Sequence, residues 1–249
     1  MKVVYHPRYE EVYASDPAAR AGRMESIIRE VSPHFEVVTA GPATASDVGL
    51  VHSDKHIKYI QGMALTYEIA LLAAGGAIKA AELAAGGEPA FALIRPPGHH
   101  ASRDHCWGFC FFNNIAISIA RLRKEGKIKT AVILDIDLHF GDGTDNIFDG
   151  TPEVVYFHPD GRDRQEFVDG ISRFLTQTEA DIVAVSAGFD RHEQDWGGLL
   201  KTEDYETIGK LVKEYAQRVC QGRRYGALEG GYNHDVIGAN VNALLRGMS

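Results

Sequence analysis

Short apolar runs alternate with longer amphipathic segments along nearly the whole chain. Seven of the runs have the length of strands, namely residues 2–7, 35–40, 89–96, 129–139, 152–158, 180–190 and 224–232. Six segments carry helical periodicity, namely residues 18–31, 53–63, 65–87, 113–126, 164–178 and 202–222. Continuous apolar strands that alternate with helices are typical of an α/β fold whose mostly parallel sheet is covered on both faces.

Four of the predicted strands run into polar residues at their carboxyl ends. These residues are His99 and His100; Asp135, Asp137 and His139; Asp190; and Tyr232. In open α/β sheets, ligands bind in the crevice beyond the carboxyl ends of the strands. We therefore expect these side chains to converge on one site, although they come from four separate segments.

Composition narrows the class of protein. The chain has 249 residues, of which 45% are hydrophobic, so residues 1–249 are expected to form a single domain, with two smaller domains as the alternative. The net charge of −8 argues against a nucleic-acid partner, because such proteins usually carry a basic face. Three cysteines, no apolar leader segment and no run long enough to span a membrane predict a soluble, cytoplasmic protein.

The spacing of Asp135, Asp137 and His139 points to a metal. On a strand, these alternating residues would share one face and leave Ile136 and Leu138 on the other. Buried carboxylates need compensation, and carboxylate oxygens with an imidazole suit a catalytic zinc that keeps one position open for water. The alternative is a hydrogen-bonded carboxylate pair without a metal.

Asp190 and the two adjacent histidines extend this predicted site. Asp190 ends a later strand and is a candidate third ligand, with a turn or helix cap as its alternative role. His99 and His100 follow a rigid Pro-Pro-Gly turn, and histidine can be both base and acid for a metal-activated water. Asp135 and Asp142 are the carboxylates available to orient them. A structural histidine pair is the alternative.

Tyr232 and the cysteines are less specific signals. Tyr232 follows Gly230 and Gly231, which permit a tight backbone path, and its phenol could donate to an oxyanion. From the residues alone, ordinary packing of a rim aromatic is the favoured interpretation. Cys106 and Cys110 have a spacing compatible with metal binding, but the apolar context of Cys110 favours a buried structural thiol.

Five motifs together resemble one family. They are RPPGHHA, GFCFFNNIAI, DIDLHFGDGT, SAGFDRH and LEGGYN, in this order along the chain. From residue 50 onward the chain is similar to the zinc-dependent histone deacetylase superfamily, which includes acetylpolyamine amidohydrolases. The resemblance implies an arginase-like three-layer fold, one zinc ion per chain, and hydrolysis of an N-acetyl amide with release of acetate.

The resemblance also assigns the metal and the proton transfers to particular residues. Asp137, His139 and Asp190 would hold the zinc. His100, oriented by Asp142, would be the general base and general acid. All five residues stand at positions that match the motifs of the family.

The supporting roles follow from the same resemblance. His99, paired with Asp135, would assist electrostatically, and Tyr232 would polarise the acetyl carbonyl. Gly108 and Phe109 would line the channel for the acyl-amine chain. The acetyl specificity therefore rests on the resemblance and not on the spacing of residues.

The family also carries a structural monovalent cation, usually potassium. Its expected surroundings in this chain are Asp135, Asp137, His139 and the backbone around Tyr156 and Phe157. The resemblance thus implies a second, non-catalytic ion beside the zinc.

Three departures from the family pattern concern the channel. Phe140 stands where many members have a second histidine, at a position that is not a ligand. The segment after residues 152–158 lacks a long Gly-rich loop that normally builds one channel wall, so a shallower and more open site is expected. Trp196 and Gly197 stand where a polyamine-selective member can carry an acidic gatekeeper.

Two other functions fit the same sequence pattern. One is a ureohydrolase with two manganese ions, which would need an Asp-x-Asp pair where SAGFD offers one aspartate. The other is a module that binds acetylated ligands without turnover. Acetyl-lysine, acetylpolyamines and small acetylated amines all remain candidate substrates, and the oligomeric state, including a homodimer, is left open.

Overall fold

Seven parallel strands form one sheet in the computed structural model, which describes residues 1–249. The strands are β1 (Lys2–Val4), β2 (Glu36–Val38), β3 (Ala90–Ala92), β4 (Ala131–Asp135), β5 (Val154–Phe157), β6 (Ile182–Ala187) and β7 (Arg224–Leu228). Their order across the sheet is β2-β1-β3-β7-β6-β4-β5, and every neighbouring pair is parallel. The predicted α/β class with a mostly parallel sheet is confirmed.

Nine α-helices cover the sheet. They are α1 (Arg23–Val31), α2 (Ala45–Val48), α3 (Asp54–Gln61), α4 (Ala64–Ala85), α5 (Asn114–Lys124), α6 (Asp142–Phe148), α7 (Arg164–Gln177), α8 (Thr202–Arg218) and α9 (Ile237–Met248). Helices α4 and α5 pack together, whereas α1, α7 and α8 form a second group with α9. Both groups contact the central strands, which gives the three-layer arrangement. No helix combines the length and the apolar character that crossing a membrane would require.

The strands at the centre of the sheet are buried, and those at its edges are partly exposed. Every residue of β3, β4, β6 and β7 is buried, while the edge strands β2 and β5 are partly exposed. One cluster of 68 buried hydrophobic residues runs from Val3 to Met248. The continuous apolar runs of the sequence therefore become the centre of the sheet, as expected for parallel strands that are buried on both faces.

Three helices were not predicted from periodicity. Helices α2 and α6 are only four and seven residues long, too short for a clear helical period. Helix α9 is amphipathic, since nine of its twelve residues are buried and the other three, Ala239, Asn242 and Arg246, lie on one face. Its signal was present in the sequence and was missed.

All seven strands end earlier than predicted, and four of these ends concern the predicted site. The run 129–139 leaves the sheet at Asp135, 89–96 at Ala92, 180–190 at Ala187 and 224–232 at Leu228. In each case, the polar residues that follow lie in a loop beyond the strand. The loops, rather than the strands, therefore carry the chemistry of the predicted site.

Candidate active site

The four loops that follow β3, β7, β6 and β4 meet at one edge of the sheet. These strands are consecutive neighbours in the sheet order, so their carboxyl ends lie side by side. The chain passes from β3 to β4 across two intervening strand positions, and such a break in strand order opens a crevice for ligands. The sequence-predicted polar residues are brought together there.

The predicted strand face for Asp135, Asp137 and His139 is wrong, because only Asp135 belongs to β4. The N–H of Ile136 still donates to Ser186 of β6, but the next three backbone N–H groups donate to carboxylates instead of to a neighbouring strand. The N–H of Asp137 donates to Asp135 Oδ1 at 3.1 Å, that of Leu138 to Asp190 Oδ1 at 3.0 Å, and that of His139 to Asp137 Oδ1 at 2.9 Å. Aspartate side chains commonly replace sheet or helix bonds in this way.

Asp137, His139 and Asp190 form a set that could hold a metal. One potential ligand atom from each lies within 4.8 Å of the others. His139 Nδ1 is 3.2 Å from Asp137 Oδ1 and 3.1 Å from Asp190 Oδ2. Asp190 Oδ2 is buried and accepts no hydrogen bond, and a Cβ on Gly230 would approach Asp137 Oδ2 to 2.5 Å. This orphaned oxygen and close backbone approach fit a small cation bound by oxygen and nitrogen.

The charges of these residues also favour a cation. Burial and the nearby Asp137 raise the pKa of Asp190 to about 6. Burial opposes ionisation of Asp137 too, but His99 and hydrogen bonds from His139 and Gly230 outweigh it and hold the Asp137 pKa below its usual range. The two carboxylates raise the pKa of His139 to about 10. A metal would compete with that proton for the same nitrogen and would relieve the repulsion between the carboxylates.

His99 lies on the buried side of the site. Its Nδ1 is 3.0 Å from Asp135 Oδ2, and the side chains are 4% and 0% exposed. Asp135 Oδ2 also accepts the hydroxyl of Tyr156 at 2.9 Å. Burial alone would lower the His99 pKa, but the charges of Asp135 and Asp137 raise it well above its usual value. The two carboxylates therefore favour the protonated form of the buried His99 imidazole.

His100 lies beside His99, but its pKa is shifted in the opposite direction. Its Nδ1 is 2.6 Å from Asp142 Oδ1, and its ring centroid is 4.1 Å from that of His99. Burial and the charge of His99 lower the His100 pKa despite the Asp142 carboxylate. With Nδ1 donating to Asp142, the Nε2 of a neutral His100 is free to accept a proton.

Glu229 is a site residue that the sequence reasoning missed. Its Oε2 accepts the N–H of Gly98 at 2.6 Å and that of His99 at 3.1 Å, so it fixes the turn that carries both histidines. Burial raises its pKa to about 7, against the opposing effects of His99 and the Gly98 N–H. The position of Glu229 within the LEGGYN motif was the one feature of the sequence that could have identified it. Cys110 is buried beside it, and His99, Cys110 and Glu229 form a second group whose potential ligand atoms lie within 4.8 Å of one another.

Aromatic side chains surround the cavity above these groups. The cavity measures about 330 Å³ and is lined by Trp107, Gly108, Phe109, Trp196, Tyr232 and the histidines. A Cβ on Gly108 would overlap the imidazole of His100, and Phe109 holds a strained φ of 67°. Strained residues concentrate at functional sites, where the surroundings hold them in place. Phe109 meets the Tyr232 ring edge-on, with centroids 5.9 Å apart.

Tyr232 is held from three sides. Its N–H donates to Asp195 Oδ2 at 2.7 Å, and its ring stacks on Trp196 with centroids 4.1 Å apart. Arg23 lies over the ring at 5.6 Å and donates to the carbonyl oxygens of Gly231 and Glu229 at 2.8 and 2.6 Å. Burial and the nearby Asp137 raise the Tyr232 pKa, so the phenol keeps its proton and remains a donor.

The mouth of the cavity is exposed, as the shortened connection predicts. Only six residues separate β5 from α7. Trp107, Phe140 and Trp196 have exposed fractions of 52%, 49% and 53%. Asp195 lies near the gatekeeper position. Its carboxylate accepts hydrogen bonds from the backbone N–H groups of Tyr232, Asn233 and Trp196.

Some of the groups expected around a monovalent cation have partners within the chain. The carboxylate of Asp135 accepts the hydroxyl of Tyr156 at 2.9 Å. The carbonyl oxygen of Asp137 accepts a hydrogen bond from Arg191 Nε at 2.9 Å. Arg191, which was not predicted to be a site residue, thus binds one of the oxygens assigned to the ion.

Comparison with known proteins identifies the family of these motifs. Residues 16–167 and 158–248 match the model of the histone deacetylase domain. The two matches meet at the connection between β5 and α7, where the chain is shorter than the family pattern. Together they cover nearly the whole chain.

Named relatives extend this match. A probable deacetylase of Methanothermobacter thermautotrophicus is 29% identical across 100% of this chain and 90% of its own length. The acetylpolyamine amidohydrolase of Mycoplana ramosa is 33% identical across 74% of this chain and 64% of its own length. The crystal structure of the HDA15 HD domain superposes with a TM-score of 0.83 at 24% identity, over 99% of this chain and 90% of that one. It shares the arginase/deacetylase-like three-layer fold.

Proposed function

The chain belongs to the histone deacetylase family, and we propose that residues 1–249 form one zinc-dependent catalytic domain that hydrolyses N-acetyl amides to acetate and an amine. The observation that carries the proposal is the joint placement of three elements. These are the Asp137–His139–Asp190 set, two histidines with separate carboxylate partners, and a protonated phenol at the same cavity. Relatives named as deacetylases and as an acetylpolyamine amidohydrolase support it.

Asp137, His139 and Asp190 would hold the zinc. When bound, zinc polarises the amide carbonyl and lowers the pKa of the attacking water. Donors of this type, three protein groups with room for water, match a catalytic zinc site. Asp190 Oδ2, which has no hydrogen-bond donor of its own, is the clearest candidate ligand atom.

His100 and Asp142 would carry out the proton transfers. The Nε2 of neutral His100 takes a proton from the attacking water while its Nδ1–H remains bonded to Asp142. The resulting imidazolium then delivers that proton to the amine nitrogen as the C–N bond breaks. The lowered pKa of His100 suits the base step, since the imidazole must start neutral.

Tyr232 and His99 would stabilise the charge that develops during the reaction. The Tyr232 hydroxyl donates to the oxygen of the acetyl carbonyl as it becomes an oxyanion. His99 keeps a positive charge beside His100 and discourages early protonation of that base. Asp135 maintains the charge of His99 through the bond at 3.0 Å.

The walls of the cavity suit a linear acyl-amine. Gly108 and Phe109 line the cavity with Trp107 and Trp196, and no lysine or arginine lines it. An extended methylene chain can pass between these aromatic rings. We propose acetyl-lysine, an acetylpolyamine or a small acetylated amine as substrate. We propose neither a nucleic acid nor a membrane as a partner; the cytoplasmic location and the oligomeric state stay predictions.

Acetate release from the zinc-loaded protein tests the proposal. Acetyl-lysine peptide, a monoacetylated diamine and a neutral N-alkylacetamide are compared at equal concentration, with His139→Ala as the variant that lacks a ligand. We expect acetate from at least one substrate, one zinc ion per chain, and no acetate from His139→Ala. Two metal ions per chain would favour the manganese ureohydrolase, and acetyl-ligand binding without acetate release would favour a non-catalytic module.

A further inference from the structure

Arg191 is a buried cation directly beside the candidate metal ligands. It follows Asp190 in the chain, is 7% exposed, and turns back toward the other ligand loop. Its Nε donates to the backbone carbonyl oxygen of Asp137 at 2.9 Å. A guanidinium from the loop after β6 therefore binds the loop after β4 at the residue that would hold the metal.

The remaining contacts of Arg191 come from the connection between β5 and α7. Its Nη2 lies 3.0 Å from His158 Nε2 and 3.4 Å from the carbonyl oxygen of Pro159. The same His158 nitrogen lies 2.9 Å from the carbonyl oxygen of Asp137, so it either donates to that oxygen or, in the other tautomer, accepts from Arg191. The guanidinium carbon also lies 4.8 Å from the ring centroid of Phe167, within the range of cation–π attraction. Arg191 thus joins three loops around one buried positive charge.

Arg191 places a positive charge beside several buried carboxylates. Asp135, Asp137 and Asp190 are each at most 1% exposed, and Glu229 is buried as well. A divalent metal and the imidazole of His99, which is bonded to Asp135, would offset part of this negative charge, and Arg191 adds its charge on the side of Asp137. A guanidinium keeps its charge under all ordinary conditions, so Arg191 supplies a permanent positive charge at this place.

Two of the oxygen donors expected around a monovalent cation already have partners within the chain. The Asp137 carbonyl is bonded to Arg191, and the Asp135 carboxylate accepts from His99, Tyr156 and the Asp137 N–H. A cation there would have to displace donors that the chain itself provides. The residues present therefore do not fit the structural potassium site that the family resemblance implies.

We propose that the guanidinium of Arg191 takes the place of the structural monovalent cation in this chain. The inference rests on the proposed function, because it concerns the loop that presents the zinc ligands. It makes the site independent of potassium and ties the positions of Asp137 and Asp190 to each other through a covalently attached charge. Arg191 is a positioning residue, since it acts through the backbone of a ligand and touches no substrate.

Thermal unfolding and acetate release at constant ionic strength test this inference. The wild-type protein is compared in potassium, sodium and tetramethylammonium chloride. An ion that binds only the folded state raises the melting temperature with its concentration, so the wild type is expected to show no specific rise with potassium. Its turnover is expected to be the same within about twofold in all three salts, because no bound alkali ion contributes to the transition state.

Arg191→Ala opens the place of the guanidinium and should create a response to potassium. In tetramethylammonium, we expect lower zinc content and a loss of turnover of about tenfold or more, the size of one lost charged hydrogen bond. Potassium should restore part of the melting temperature and of the turnover. Arg224→Ala is the matched control, because Arg224 is also buried and donates to carbonyl oxygens, those of Met248, Gly222 and Ser249. It should lower stability equally in every salt.

Two results would overturn the inference. A melting temperature or turnover of the wild type that rises specifically with potassium would mean that an ion binds in addition to Arg191. An Arg191→Ala protein that is impaired to the same extent in all salts would make Arg191 an ordinary structural arginine. The wild-type comparison stands even if that variant does not fold. Absence of acetate release in every salt would count against the proposed function, while the melting temperatures would still decide the role of Arg191.

Discussion

The floor and the mouth of the cavity are built by different means. The floor, which we define as His99, Asp135, Asp137, Asp190 and Glu229, is at most 3% exposed. Its side chains are held by hydrogen bonds to backbone N–H groups and by one another's charges. The mouth, defined as Trp107, Phe109, Trp196 and Tyr232, is held mainly by ring stacking. If the proposed function holds, the floor would position two of the three metal ligands, and the mouth would contact the substrate.

The adjacent histidines show this difference within two residues. His99 belongs to the floor and is held in the charged form by two buried carboxylates. His100 faces the cavity, and its partner Asp142 is 40% exposed, so its carboxylate is partly solvated. Burial and the charge of His99 then hold His100 in the neutral form. Two identical side chains acquire separate roles because their partners come from different parts of the fold.

Loss of a metal ligand should have the largest effect. Asp137→Ala or Asp190→Ala is expected to abolish both zinc retention and acetate release, since each removes one of three protein ligands. Elemental analysis of dialysed protein and an acetate assay measure the two properties. Asp149→Ala, at an exposed aspartate, serves as the control. One zinc ion per chain with normal turnover in either ligand variant would show that the floor is assigned wrongly.

Removal of the base should spare the metal but slow the reaction. His100→Ala is expected to keep its zinc and to lose turnover by ~10²–10⁴, the usual contribution of general acid–base catalysis. His99→Ala should lose less turnover, because that residue contributes its charge alone. Zinc analysis and kcat are measured for both variants. If both lost zinc equally, the histidines would be ligands and the distinction between them would disappear.

Tyr232→Phe tests the mouth by removing one hydroxyl. Loss of one oxyanion donor is expected to lower kcat by ~10²–10³, with little change in KM because the bond matters mainly in the transition state. The zinc content and melting temperature should stay near those of the wild type. The assay needs an acetyl-lysine peptide, since an activated surrogate with a good leaving group needs less polarisation. Undiminished turnover on that peptide would leave Tyr232 as a packing residue.

Trp107→Phe should have the smallest effect. Trp107 stacks on His100 with centroids 4.0 Å apart and donates from Nε1 to Asp142 Oδ2 at 2.8 Å. Phenylalanine keeps a ring on His100 but loses the bond, so kcat should fall about fivefold, the equivalent of roughly 1 kcal/mol. Trp196→Phe is the matched comparison, because Trp196 is equally exposed and stacked and its indole N–H has no partner among the hydrogen bonds found.

The double variant separates positioning from substrate binding. If Trp107 acts through Asp142, Trp107→Phe should cost nothing further in an Asp142→Ala protein, as a double-mutant cycle detects. A loss that persists in the absence of Asp142, or that appears in KM for both tryptophan variants alike, would instead assign the two indoles to substrate contacts.

Periodicity predicted most of the fold but misplaced the ends of its strands. The apolar runs identified all seven strands, because parallel strands buried on both faces need continuous apolar sequence. The same runs extended too far at Asp137 and His139, where the carboxylates of Asp135 and Asp137 bind the backbone in place of a neighbouring strand. Helix α9 was missed although Ala239, Asn242 and Arg246 leave an amphipathic stripe along it.

The sequence by itself determined which residues could do chemistry at this site. The histidine pair, the Asp-x-Asp-x-His segment, Asp190 and Tyr232 each follow an apolar run, and parallel strands place such residues at one edge of a sheet. Local sequence is sufficient to identify these residues, because each of them directly follows the strand that positions it.

Only the tertiary structure decided which charges those residues carry and what holds them. Glu229 binds Gly98 across 131 positions of sequence, Arg23 reaches Gly231 across 208, and Arg191 reaches Asp137 across 54. The proton affinity of a buried group depends on burial and on the charges within a few ångströms, whatever their distance along the chain. For that reason His99 and His100 are equivalent in the sequence, and they become a charged imidazole and a neutral base only when the folded chain places different carboxylates beside them.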